Sequence, residues 1–240
     1  MQSDDFFKLV RKRRCIRRFK PDPVPDEYIE KVIEAARWAQ SGANAQPWEF
    51  IVVKNKETKD KIVDCYVAHL KQAWDIEKTR IKELRHNELA WAPSGIPSFK
   101  EAPVFIVLCG DPRTVQATVL ITHFLPNEGG PMAHFLKNMA NATQILHLAV
   151  ATLGLGSQWV SVNTTTEARL KVLLDVPEEL TIPTIVPIGY PAYEPPPPYR
   201  RDLKEIIHFE KYDRSKYRSG DDIYNFLLTL RQKTRPSYNK

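Results

Sequence analysis

Lys8-Leu-Val-Arg-Lys-Arg-Arg-Cys-Ile-Arg-Arg-Phe19 puts five arginines and one lysine into the eight positions from Arg11 to Arg18. Cations this close repel one another unless an anion neutralises them. Guanidinium groups are planar forks that match phosphate oxygens. Arg13, Arg14 and Arg17 are therefore read as the anchor for the phosphate of a bound ligand. A solvated basic face is the other reading of the same residues. Upstream, Ser3 is a plausible N-cap, and Asp4 and Asp5 suit a first helical turn. Phe6, Leu9 and Val10 give that helix an apolar side, and it runs toward the arginines.

Downstream, Pro21, Pro23 and Pro25 enforce an extended connection. Asp26 is expected to cap the next helix, whose buried stripe is Ile29, Val32, Ile33, Ala36 and Ala39. That helix should stop near Ser41-Gly42. The loop Ser41-Gly-Ala-Asn-Ala-Gln-Pro-Trp48 is small and polar, with backbone N–H groups free to face a ligand. Asn44 and Gln46 also fit ordinary turn chemistry. Phe50–Val53 reads as a strand buried on both faces.

Residues 57–89 are charged, amphipathic and helical in pattern, with Trp74 and Trp91 as large aromatics. The Pro- and Gly-containing segment 92–98 breaks the pattern. Ala102–Cys109 is a second buried strand. Thr114–Phe124 fits strand or helix, and 126–131 reads as a loop. Ala133–Leu153 is a long buried helix carrying His147, read as a packed histidine because no ligand-spaced partner accompanies it. Further elements are a strand at Ser157–Val162, a helix at Thr166–Leu174 and a strand at Leu180–Ile188. Pro195–Pro198 favours a stiff polyproline segment leading to Arg200-Arg201. The charged, aromatic tail includes a helix near Ile223–Leu230.

The 240 residues are 42% hydrophobic and 27% charged, an ordinary globular profile. Much of the net charge of +6 lies before residue 21. One local cluster suggests one local anion, whereas nucleic-acid binding calls for a broader basic surface interleaved with aromatics. Cys15, Cys65 and Cys109 are scattered, without C-x-x-C or metal-ligand spacing, so neither a disulfide framework nor a metal site is expected. No apolar h-region and no run of membrane-spanning length occur, which points to a cytoplasmic protein without a membrane partner. Gly154-Leu-Gly156 lacks the third glycine of a dinucleotide fingerprint and follows a helix. P-loop, zincin and nucleophile-elbow motifs are absent. An enzyme built this way would rely on an organic cofactor for its reactive group.

Four segments in order resemble the nitroreductase-like flavoproteins. They are Arg13–Phe19 with Pro23-Val-Pro25, Ser41–Phe50, Leu153–Trp159, and Ile188–Pro191 with Arg200–Leu203 and Ile206–Phe209. The resemblance implies an α+β fold, with a central mixed, mainly antiparallel sheet flanked by helices, in an intertwined homodimer. Residues 1–210 would form the FMN-binding domain with a helical cap around 67–98. Residues 211–240 would be a C-terminal extension packing on the partner chain.

The resemblance also implies that Arg13, Arg14, Cys15, Arg17, Arg200 and Arg201 surround the FMN phosphate. Cys15 stands where the family usually has serine, and a thiol donates more weakly. Ser41, Asn44, Gln46 and Pro47 would edge the ring, with Ser157, Gln158, Trp159 and Ser161 on its other side. A backbone N–H near Ser161 would face N5. No side chain is expected to be catalytic. The implied reaction is a ping-pong hydride transfer from NADH or NADPH, through the flavin, to a nitroaromatic, a quinone or a similar acceptor. Reductive dehalogenation and oxygen-dependent flavin cleavage are the other chemistries of this fold. For a zwitterionic halophenol, Tyr66, Glu77 and Lys82 are the available cap residues. The reading from a different class is polyanion binding through Lys8–Lys20.

Overall fold

The computed structural model describes residues 3–84, 97–115 and 130–234. The chain divides into two units, Met1–Leu70 with Gly95–Pro195, and Lys71–Ser94 with Pro196–Lys240.

The first unit is organised on β2 (Val104–Gly110), every residue of which is buried. Alternation sends Val104, Ile106 and Leu108 into one apolar layer and Phe105, Val107 and Cys109 into the other. β1 (Trp48–Val53) and β5 (Thr181–Gly189) flank β2, both antiparallel to it. Two short strands, β3 (Gly156–Ser157) and β4 (Val160–Ser161), pair antiparallel with β5. The order is β1-β2-β5-β3, with β4 also on β5. The parallel element is a single bridge between Cys15 and Ser157.

Helices cover both faces. α2 (Asp26–Arg37) and α4 (Gly130–Thr152) supply Ile29, Val32, Ala36, Phe135, Met139, Leu146 and Val150 to the first layer. α3 (Lys56–Glu77) and α5 (Thr164–Leu174) supply Ile62, Val63 and Leu170 to the second. In that layer the Phe99 ring meets Phe105 edge-on at 5.7 Å and Tyr66 at 5.4 Å. α1 (Ser3–Lys12) carries Asp4 and Asp5 in its first turn and Arg11 and Lys12 in its last, which suits the helix dipole. Asn163 caps α5, its Oδ1 accepting the Thr166 N–H at 2.8 Å. Asn163→Ala is expected to cost about 1 kcal/mol, read by urea unfolding. An unchanged midpoint would mean the cap is replaced locally.

Three expectations from the sequence change here. Pro25, not Asp26, occupies the N-cap of α2, and no side chain caps that end. Its fixed φ fits the cap, and Asp26 instead pairs with Lys54. β1 is not buried on both faces: it lies at the sheet edge, with Glu49 and Val52 exposed. Ser157–Val162 is two strands of two residues each, interrupted at Gln158-Trp159. The segment from 92 to 96, most of Thr114–Phe124, the 126–129 loop and Trp91 lie outside the described residues.

In the second unit, α7 (Gly220–Thr234) packs against a 3-10 turn at Lys82–Leu84. α6 (Leu203–Ile206) is one turn, capped by Asp202. Phe226 stands under the Arg218 guanidinium at 4.9 Å and near the Tyr199 ring at 6.4 Å. His208 stacks on Tyr212 at 4.3 Å and accepts the Asp213 N–H at Nδ1.

Candidate functional site

The arginine segment changes conformation where α1 ends. The Arg13 N–H donates to the Leu9 carbonyl and closes the last turn. Arg14 folds back over that end: Nη1 donates to the carbonyls of Arg11, Lys12 and Arg13 at 2.5, 2.9 and 3.1 Å. A cation there satisfies terminal carbonyls and the negative end of the dipole. Its Nε is buried without a partner among the described residues.

Beyond Arg14 the chain runs along the sheet edge. Cys15 bridges Ser157, the Ile16 N–H donates to the Ser157 carbonyl at 2.9 Å, and the Lys20 N–H donates to the Tyr190 carbonyl at 2.8 Å. Ile16 and Phe19 point into the core, while Arg17 and Arg18 are exposed, Arg18 over the Tyr193 ring at 4.7 Å. Ile16 and Phe19 are buried and the two arginines between them exposed, so the segment keeps its apolar members inside and leaves guanidiniums outside without following a strict strand alternation.

The loop after α2 is strained. Ala43, Asn44 and Gln46 have φ of 51°, 54° and 44°, a region that residues with a Cβ rarely occupy. Ser41 Oγ accepts the Gln46 N–H at 3.1 Å, and Asn44 and Ala45 donate back to Ser41 and Gly42. α4 fixes the loop from outside: Asn138 Oδ1 accepts the Gly42 N–H at 3.2 Å, and Asn141 Nδ2 donates to the Gln40 carbonyl at 3.1 Å. Asn138 Nδ2 is buried with no partner among the described residues. Trp38, Ala39, Gln40, Ser41, Gly42, Asn44 and Asn141 line an open cleft of about 560 Å³. Pro47 and Trp48 are buried behind it.

The third segment is Ser157–Ser161. The Ser157 side chain is buried and shares a 2.7 Å hydrogen bond with Nδ1 of His147. Burial, with help from the nearby Arg13 charge, holds the His147 pKa down at about 4, so the ring is neutral at pH 7. Gln158 Oε1 is buried without a partner among the described residues. The Trp159 ring lies 5.9 Å from the His147 ring. Ser161 is exposed, paired in register with Thr184.

The structure therefore brings Cys15 and its neighbours to Ser157 directly. The Ser41–Gln46 loop and Ser157 are both tied to α4, through Asn138 and His147, whose levels differ by about 13 Å along the helix axis. Arg200 and Arg201 belong to the second unit. There Arg200 donates to the Tyr199 carbonyl and Arg201 pairs with Glu205 at 3.1 Å. Tyr66 is committed to the core against Phe99, and Glu77 pairs with Arg80 at 3.4 Å. Sequence reasoning missed Asn138 and Asn141. They lie three residues apart on one face of α4, among other polar residues of that helix, so residue type alone does not single them out. Among the described residues there is no cluster of three or more groups able to hold a metal ion, and the three cysteines are unpaired. No described helix is long and apolar enough to cross a membrane.

Residues 10–190, which contain all three of these segments, match the Nitroreductase family, and the chain belongs to that family. Iodotyrosine deiodinase 1 of Rattus norvegicus is 32% identical over 205 residues, 80% of this chain. The chain spans 64% of the length of that relative, less than two thirds. A crystal structure of oxidized iodotyrosine deiodinase bound to FMN and 3-iodo-L-tyrosine superposes with a TM-score of 0.64 at 25% identity, covering 86% of this chain and 100% of that one. An FMN-dependent nitroreductase from Clostridium difficile R20291 superposes with a TM-score of 0.61 at 22% identity, over 86% of this chain and 99% of its own, and shares the fold.

Proposed function

We propose that the chain is an FMN-dependent oxidoreductase that takes a hydride from NADH or NADPH and delivers it to an electron-poor organic acceptor such as a nitroaromatic or quinone. The observation that carries this is the Cys15–Ser157 bridge, which seats the arginine segment beside the segment carrying Gln158 and Trp159. Three unmet polar atoms on the segments described above fit the group. Arg14 Nε is a donor for a phosphate oxygen, Gln158 Oε1 an acceptor for a hydroxyl or ring N–H, and Asn138 Nδ2 a donor for a carbonyl.

Arg13, Arg14 and Arg17 would hold the phosphate. Ser41, Asn44, Gln46 and Pro47 would bound the ring on one side and Ser157–Ser161 on the other. Bound there, FMN supplies the hydride carrier. The protein's part is to orient the two substrates in turn over one ring face and to place positive charge where the reduced ring becomes anionic. No side-chain acid or base is required.

Phe6, Phe7 and Val10 on α1 and Leu136 and Ile145 on α4 leave apolar surface that a second copy would cover. This supports a homodimer; in the same reading residues 67–98 form a substrate cap and the extension 211–240 packs on the partner chain.

The visible spectrum of the purified chain, with the chromophore identified after heat release, tests the assignment. Flavin bands with FMN released are the expected result, and a colourless protein that takes up no added FMN would overturn it. Arg14→Ala should raise the FMN dissociation constant by about ten- to a hundredfold, the size of one charge-assisted hydrogen bond, with little change for riboflavin. Equal affinity of variant and parent for FMN would remove Arg14 from the phosphate site.

The 32% identity to the rat deiodinase favours one second reading, reductive dehalogenation of a halogenated phenol. Halide release from 3-iodotyrosine by the reduced protein, compared with turnover of a nitroaromatic, separates the two.

A further inference from the structure

β3 is two residues long, yet it joins three parts of the molecule. Gly156 and Ser157 pair with Gly189 and Ile188 of β5. On its other side the Ser157 carbonyl receives the Ile16 N–H, and Ser157 bridges Cys15. The approach is tight, because a Cβ on Gly156 would lie 2.5 Å from Ile16 Cγ1. The third attachment is the buried Ser157 hydroxyl, bonded to Nδ1 of His147 on α4. His147 is 4% exposed, and its Nε2 has no partner among the described residues. A histidine that merely filled space here would be a poor choice. Leucine would pack without stranding a polar atom, whose burial is unfavourable. The hydrogen bond to Ser157 is what the imidazole adds.

We propose that His147 is a positioning residue for the anion anchor: through Ser157 it fixes the Cys15–Phe19 strand, and with it Arg13, Arg14 and Arg17, and so sets how tightly a phosphorylated ligand is held. The ligand part of this rests on the function proposed above. Arg13 and Arg14 directly precede the bridge, so freedom in Ser157 reaches them across one or two residues of backbone. Recognition of a phosphate by several guanidiniums needs their geometry held to about 0.5 Å. The hydroxyl of Ser157 cannot be satisfied by leucine at position 147, but an asparagine there presents a polar atom at the level of Nδ1.

The test compares His147→Leu, His147→Asn and the parent protein in two measurements. The first is hydrogen exchange at the Ile16 amide, which needs no ligand. His147→Leu should speed it about tenfold, with His147→Asn near the parent and the central Val107 amide unchanged in both. The second is the ratio of FMN to riboflavin affinity. His147→Leu should lower that ratio about tenfold, and His147→Asn should restore it. A merely structural role would weaken both flavins together. Unchanged Ile16 exchange in a folded His147→Leu protein, or equal loss of both flavins, would overturn the proposal. If the parent takes up neither flavin, the functional assignment falls, while Ile16 exchange still decides whether His147 holds the strand.

Discussion

Gly110→Ala is expected to destabilise the protein by about 3 kcal/mol, the upper end of the usual cost of overpacking. A Cβ at this position would lie 2.4 Å from the Pro47 carbonyl oxygen and 2.9 Å from Met139 Sδ. The methionine can move, because its thioether chain is flexible. The carbonyl cannot move so freely, because it accepts the Asp111 N–H at 2.8 Å and follows the strained turn at Ala43, Asn44 and Gln46. Relief therefore has to come from breaking that hydrogen bond or from shifting the loop. For a domain of this size the loss corresponds to a fall of about 6–12 °C in melting temperature. Gly220→Ala is the control, since a Cβ there meets nothing within 4 Å. A melting temperature within about 1 °C of the parent for Gly110→Ala would show that the loop gives way without cost.

Acidification should remove a further block of stability through His147. Its folded pKa of about 4 lies below the ordinary value of 6.5, chiefly because it is buried and secondly because Arg13 is near. The unfolded chain therefore takes up this proton first as pH falls. The contribution is fully present above about pH 6.5, is lost progressively toward pH 4, and levels off below that. Between pH 7 and pH 4.5 the loss is roughly 2–3 kcal/mol. Asp60, Asp111, Asp213 and Asp222 also have lowered pKa values, mainly through hydrogen bonds to Lys56, Arg113, Ser215 and Ser219 respectively. Their losses fall at lower pH and are common to parent and variant. Urea midpoints at the two pH values, compared between the parent and His147→Asn, isolate the histidine. An identical pH slope in the two proteins would show that His147 titrates normally.

The sequence carried the pattern of the helices and central strands because their burial is periodic or continuous. The stripe on α2 and the apolar run in β2 are both visible as residue types alone. The edge position of β1 was not, because its apolar run resembles that of β2 and sheet order is a non-local property. The break at Gln158-Trp159 was hidden likewise, since both residues fit a strand and the interruption comes from how the chain meets β5. The left-handed turn was unreadable because its residues are Ala43, Asn44 and Gln46 rather than glycines. Of the candidate site, the arginine segment and the Ser41–Trp48 loop stood out in the sequence. Their fixation by Asn138, Asn141 and His147 did not, because Asn138 and Asn141 lie 96 and 101 residues from their partners and His147 sits alone in an apolar stretch. The histidine has no partner at metal-ligand spacing; it bonds a serine ten residues on.

The stitching of Cys15–Lys20 to Ser157 and Tyr190 also fixes an order in time. The basic segment is synthesised before the edge it lies along, which is made about 140 residues later. At ordinary translation rates that is roughly 7–30 s during which the segment has nothing to lie along. β5, the strand between β2 and β3, arrives about 70 residues after β2, so β2 keeps one unpaired side until then. Contacts of such long sequence separation form slowly, since loop closure precedes any gain. The basic segment is therefore fixed late in folding, when the sheet edge that supports it is complete.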